Sequence, residues 1–159
     1  MEYIIDLILQ KLEEGISKAD VKNYLFGIPS EMGDNLSNSG AICVGPMATD
    51  ITPETTGVRD RDDNDIEIVV VKNFKTMQYR DAESEGAMRF LTRIIDGRNA
   101  DGSRKTDSIV YILRNNMRTF GIRQPSISIN YRDNRYDKEG VVTASLRLRQ
   151  EAISNQPII

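Results

Sequence analysis

The stretch DRDDND, residues 60 to 65, places four aspartates and an asparagine in six positions directly before the apolar run IEIVVV. Carboxylates at alternate positions are what a calcium loop uses, and Asp60, Asp62 and Asn64 fall at its positions 1, 3 and 5. Such a loop also needs glycine at position 6 and a bidentate glutamate at position 12. Here those places hold Asp65 and Val71, the second inside the apolar run. Helices should flank the loop, and the surrounding pattern supplies none. The calcium reading fails, and two others stay open. One is a hydrated turn that keeps a strand entrance soluble. The other is the acidic end of a long connection, residues 47 to 65, that protrudes and serves assembly, because a structureless connection of that length is uncommon in a compact domain without a function. In the assembly reading Asp60, Asp62, Asp63 and Asp65 face a basic strip on a neighbouring subunit. RLR at 147 to 149 offers such a strip in Arg147 and Arg149, although either arginine taken alone reads more readily as part of a solvated strand face.

Other chemistry is scarce. The chain has no histidine, the side chain whose unperturbed pKa lies nearest neutrality, so Ser-His and Cys-His catalysis and His-containing zinc sites are excluded. Cys43 is the single cysteine, which leaves no internal disulfide and no thiolate cluster for a metal. The segment GRNADGSRKT, 97 to 106, lacks the spacing and the Gly-Lys-Ser/Thr ending of a phosphate loop. The expectation is a protein that is not an enzyme and needs no cofactor or metal. A carboxylate-dependent enzyme is one alternative class. A small nucleic-acid-binding module is another, with Arg114, Arg118, Arg123, Arg132 and Arg135 beside Tyr131 and Tyr136 as its surface. The net charge of −3 and the acidic residues near Asp50 to Asp65 weigh against that module.

These residues need elements to position them. The 159 residues suit one domain, and 39% apolar with 28% charged residues is ordinary for a globular chain. No apolar run is long enough to cross a membrane, and MEYIIDLILQKLEE, with Glu2 and Asp6 among its apolar residues, reads as a helix rather than a signal peptide. Ile4, Ile5, Ile8 and Leu12 share a face at helical spacing, and Gly15 is its stop. Ser17 and Asp20 resemble a capping box opening a second helix through Val21, Tyr24 and Leu25. Residues 30 to 40 read as a loop, AICVGP (41 to 46) as a short strand, and 66 to 74 as a β-branched strand. The face of that strand carrying Glu67, Val69 and Val71 begins polar and ends apolar, so the strand is expected to be central and covered on both sides at one end. Helices are expected over 82 to 97, with Met88, Leu91 and Ile95 inward, and over 106 to 121. The second is capped by Thr106 or Asp107, buries Ile109, Ile112, Leu113 and Phe120, and ends at Gly121. A period of two then places Ile127, Ile129 and Tyr131, and Ala144, Leu146 and Leu148, on the inner face of a closing hairpin. Residues 150 to 159 read as a flexible tail. The fold class is α+β: a mostly antiparallel four-stranded sheet with helices packed on one face.

This arrangement resembles the tail terminator, or tail-completion, proteins of tailed bacteriophages. The likeness runs through the opening helix IIDLILQKLEEGI, the strand AICVGP, the long loop, the strand DIEIVVV, the helix SIVYILRNNMRTF and the strand pair SISINY and VVTASLRLR. The segment 17 to 40 is an addition to the shorter members. The resemblance implies a hexameric ring that caps the finished tail tube and receives the head–tail connector. DNA passes through its lumen without specific binding, and the protein is located in the virion and, during assembly, in the host cytoplasm. Another neck or head-completion protein of the same virion is the nearest alternative. A closed ring needs heterologous contacts, one patch meeting a different patch on the next copy.

Overall fold

The computed structural model describes residues 2–31, 39–53, 60–73, 86–120, 123–132, 135 and 141–153, of which 31, 60, 123–125 and 152–153 are described by backbone alone. Helix α1 (Glu2–Gly15) buries Ile4, Ile5, Ile8 and Leu12, the face that the spacing predicts. Gly15 does more than end it. A Cβ there would lie 2.6 Å from Cδ1 of Ile112, so the glycine admits a neighbouring helix at close range.

The expected second helix is absent. Residues 17–20 form a turn, with Ala19 N–H donating to Ser17 Oγ, and Asn23–Phe26 is a strand, β1. Strand β1 runs parallel to the start of β2 (Ala41–Pro53), from Asn23 opposite Ala41 to Phe26 opposite Val44. Inter-strand hydrogen bonds satisfy backbone groups that a helix would have satisfied locally, so tertiary pairing overrides a weak capping signal. Gly40 makes the approach possible: its φ of 78° is left-handed, and a Cβ would meet Asp20 O at 2.5 Å.

Strand β3 (Asp60–Asn73) pairs antiparallel with β2, β5 (Val141–Ile153) pairs antiparallel with β3, and β4 (Arg123–Asn130) pairs antiparallel with β5. The protein is α+β, but the sheet has five strands in the order β1-β2-β3-β5-β4 and is mixed rather than four-stranded and antiparallel. The strand beyond the expected four is β1, which lies within residues 17–40. Strand β5 continues to Ile153, so the expected tail is strand over 150–153, held by β3; residues 154–159 lie outside the described residues.

Three helices cover one face of the sheet. Helix α2 (Ala87–Asp96) buries Phe90, Leu91, Ile94 and Ile95, and α3 (Ile109–Asn115) buries Ile109, Val110, Ile112 and Leu113. These residues form one core with Ile42, Val44, Ile66, Ile68, Val70, Ala144, Leu146 and Leu148. Met88, expected inward, is exposed; residues 82–85 lie outside the described residues. Ser108, not Thr106 or Asp107, caps α3, its Oγ accepting from Tyr111 N–H. The helix ends at Asn116, whose backbone N–H donates to Ile112 O at 3.2 Å and whose side chain donates to the same carbonyl at 2.8 Å. Phe120 is buried in the turn that follows. Arg93 on α2 grips Asp20 through two bonds of 2.8 and 2.9 Å, tying the β1 approach to the helical layer. On the opposite face Cys43, Val69 and Val71 form a small second cluster with Leu25 and Val141. Strand β3 is therefore central and covered on both faces at its C-terminal end, as the pattern of its second face requires.

Candidate assembly surface

The expected loop at 47–65 is largely strand. The first five residues of β2 are buried and the next eight, 46–53, are all exposed. A strand with one covered face would alternate, so this run stands clear of the body on both faces. It pairs with β3 from Ala48 opposite Asp65 to Pro53 opposite Asp60, after a register shift between Pro46 and Ala48. At roughly 3.4 Å per residue the exposed run spans about 27 Å. The β2–β3 pair, flanked on the β3 side by β5 as far as Ile153, thus forms an arm; residues 54–59 lie outside the described residues.

Residues 60–65 lie in strand β3 and not in a loop between helices. Successive side chains of β3 point to opposite faces, so Asp62 and Asn64 lie on the helix face with Ile66, while Asp63 and Asp65 lie on the outer face with Glu67. Among the described residues no group of three or more His, Cys, Asp or Glu is placed to hold a metal ion.

The outer face carries the charge pattern. Asp65 accepts from Arg147 Nη2 at 2.6 Å and from Arg149 Nε at 3.1 Å. The hydrogen bond from Arg147 and the two adjacent positive charges hold its carboxyl below the usual carboxylate range against the opposing effect of burial. Glu67, one step along the same face, is buried and held by both terminal nitrogens of Arg135. At the far end Asp50 lies opposite Asp63, and Asp63 lies opposite Glu151. This is a row of three carboxylates across adjacent strands; Arg61 lies 3.6 Å from Asp63, and Arg123 of β4, whose side chain is not described, stands opposite Glu151. Like charges in directly opposed positions destabilise a sheet. Asp50, Asp63, Asp65, Arg149, Glu151 and Ala48 line an open hollow of about 390 Å³ here. On the helix face Thr49 donates to Asn64 Oδ1 at 2.9 Å, and Gln150, opposite Asn64, is buried with no partner for either amide atom.

Of the six residues that the sequence singles out, the fold brings Asp65, Arg147 and Arg149 together within one chain. Asp60 starts β3 at the arm's tip and its side chain is not described; Asp62 and Asp63 take opposite faces of the arm. The expected split, acid on one subunit and arginine on the next, is therefore met inside the chain for Asp65 and left open for the others. Asp50, Glu151 and the Glu67–Arg135 clamp escape sequence reading. The period of two does extend back to Arg61, but without apolar residues on either face it has no hydrophobic amplitude. The arginines of the nucleic-acid reading do not share one surface: Arg114 belongs to the helical layer, whereas Arg135 grips Glu67 on the opposite face of the sheet.

Comparison with known proteins found no matching family model and no matching curated protein. No helix among the described residues is long and apolar enough to cross a membrane.

Proposed function

We propose that the protein is a non-enzymatic virion subunit that works as a ring, capping a phage tail tube and joining it to the head connector. The observation that carries the reading is the arm: eight consecutive exposed residues of β2, backed by a row in which Asp50, Asp63 and Glu151 stand directly opposite one another. An isolated domain gains nothing from such a structure. It exposes an unpaired strand edge, and it sets Asp50, Asp63 and Glu151 against one another. A neighbour bearing cations relieves both costs. The order of elements, shared with tail terminators apart from β1, supports the tail as the place of assembly, and a chain without histidine suits work done by surfaces. Another neck protein of the same virion would use the arm in the same way and differ only in its neighbour.

The test is native mass spectrometry of the wild type and of a variant carrying Asp60→Ser, Asp62→Ser and Asp63→Ser, with Asp65 kept because it is paired within the chain. Monomer stability should move by less than about 0.5 kcal/mol, whereas ring formation and capping of tail tubes should fall. Charge at an interface rim sets register and encounter rate, so assembly should weaken in the variant rather than vanish. A wild type that stays monomeric at every concentration, alone and with tail tubes, would refute the ring.

A further inference from the structure

The ring reading leaves open how one copy meets the next, and the sheet offers a specific answer that rests on it. Among the described residues β1 pairs with β2 only along residues 41–44, so the edge of β2 over residues 47–53 has no strand beside it. At the other end of the sheet β4 pairs with β5 alone, and its far edge is likewise unaccompanied. We infer that the open edge of β2 takes the β4 edge of a second copy as an added strand, so that the sheet runs on from subunit to subunit.

Several observations favour this occupant. The two edges are different surfaces of one chain, which is what head-to-tail closure requires and what a two-fold dimer does not. The open edge of β2, residues 47–53, is long enough to take residues 126–130, the part of β4 that follows Pro125. Their charges are opposite. Residues 46–53 and 60–64 of the arm hold four aspartates and one arginine, whereas β4 and the two residues after it hold Arg123 and Arg132, and beside them on β5 Arg147 and Arg149 share the one carboxylate of Asp65.

The side chains also fit in detail. In a ring every copy turns the same face to the axis, so helix-face residues meet helix-face residues across the junction. Ile51, 65% exposed and opposite Asp62, would lie beside Ile127 and Ile129, which are only partly buried in their own subunit. On the outer face Ser126 and Ser128 stand opposite Arg149 and Arg147. Two strand spacings, about 9.6 Å, separate β5 from an added β2. Small serines in the intervening strand let the arginines extend across it towards Asp50. Prolines delimit the ladder: Pro46 and Pro53 bound the β2 edge, and Pro125 leaves residues 126–130 of β4 with a full set of donors.

Cross-linking tests this directly. Chains carrying the outer-face changes Ala48→Cys or Thr52→Cys are mixed with chains carrying Ser126→Cys, Ser128→Cys or Asn130→Cys on the same face, allowed to assemble, and oxidised. All these positions are exposed, so the variants should fold, and the native Cys43 is fully buried and should not compete. The expected result is disulfides between β2 and β4 cysteines in one consistent register, since directly opposed strand residues place their Cβ atoms within disulfide range. Pairs of β2 variants, and pairs of β4 variants, should give none. Rings that form without β2–β4 cross-links overturn the added strand and leave the ring reading standing. Cross-links between two β2 edges, or from β2 to a tube protein instead, assign the edge to another partner and overturn it equally. A chain that remains monomeric overturns both readings.

Discussion

Asp65 and its two arginines allow the distinction between internal and external charge pairing to be measured. Replacing Asp65 with asparagine keeps the shape and removes the charge that Arg147 and Arg149 share. The aspartate side chain is 16% exposed, but those of the arginines are 44% and 63% exposed, so water screens much of the attraction. Exposed pairs of this kind contribute roughly 0.2–1 kcal/mol each, which sets the loss at about 1 kcal/mol. For a domain of this size that is about 3 °C in Tm. The carboxyl is held below its ordinary value of 3.8, chiefly by the Arg147 hydrogen bond, so its stabilisation is complete above that value and is lost as pH falls through the folded-state pKa. The deficit of Asp65→Asn should therefore be full at neutral pH and shrink in strong acid, as pH falls below 3.8 and on through the folded-state pKa. Urea titrations of both chains at neutral pH and in strong acid give the comparison, and their difference cancels the other carboxylates. Asp62→Asn, on the helix face away from both arginines, should cost less than about 0.5 kcal/mol at neutral pH. An Asp65→Asn chain as stable as wild type at neutral pH, or one whose deficit persists in acid, would refute the pairing and return Asp65 to the assembly surface.

Three other outcomes are expected. Leu113→Ala should cost about 2–5 kcal/mol because Leu113 is buried in the main cluster, while the exposed Arg114→Ala should cost less than about 0.5 kcal/mol; equal effects in urea unfolding would mean that α3 is turned differently. Gln150→Met should raise stability by about 1 kcal/mol, since it removes two buried amide atoms without partners at nearly constant volume; a loss of stability would show that the amide is satisfied. Calorimetric titration with calcium, magnesium and zinc should find no site tighter than about millimolar, and a micromolar calcium site abolished by Asp62→Ala would overturn the strand account of residues 60–65.

The α+β class, the opening helix with Ile4, Ile5, Ile8 and Leu12 inward, the central position of β3 and the closing hairpin were all legible in the sequence, because each is encoded by a periodic apolar pattern that local geometry alone explains. Where the pattern loses its apolar amplitude, the chain's course passed to tertiary pairing. Residues 23–26 become strand because the edge of β2 was open beside them, and residues 46–53 and 60–65 become strand because each run supplies the hydrogen bonds of the other. The acidic character of residues 60–65 was plain from composition, but not its division: which carboxylates are matched inside the chain depends on the register that sets Asp65 opposite Arg149 and Asp63 opposite Asp50 and Glu151. A shift of one residue would send every one of those side chains to the other face. That register is held by the buried pairs of Ile66 with Leu148 and Ile68 with Leu146, far along the strand from the charges it arranges.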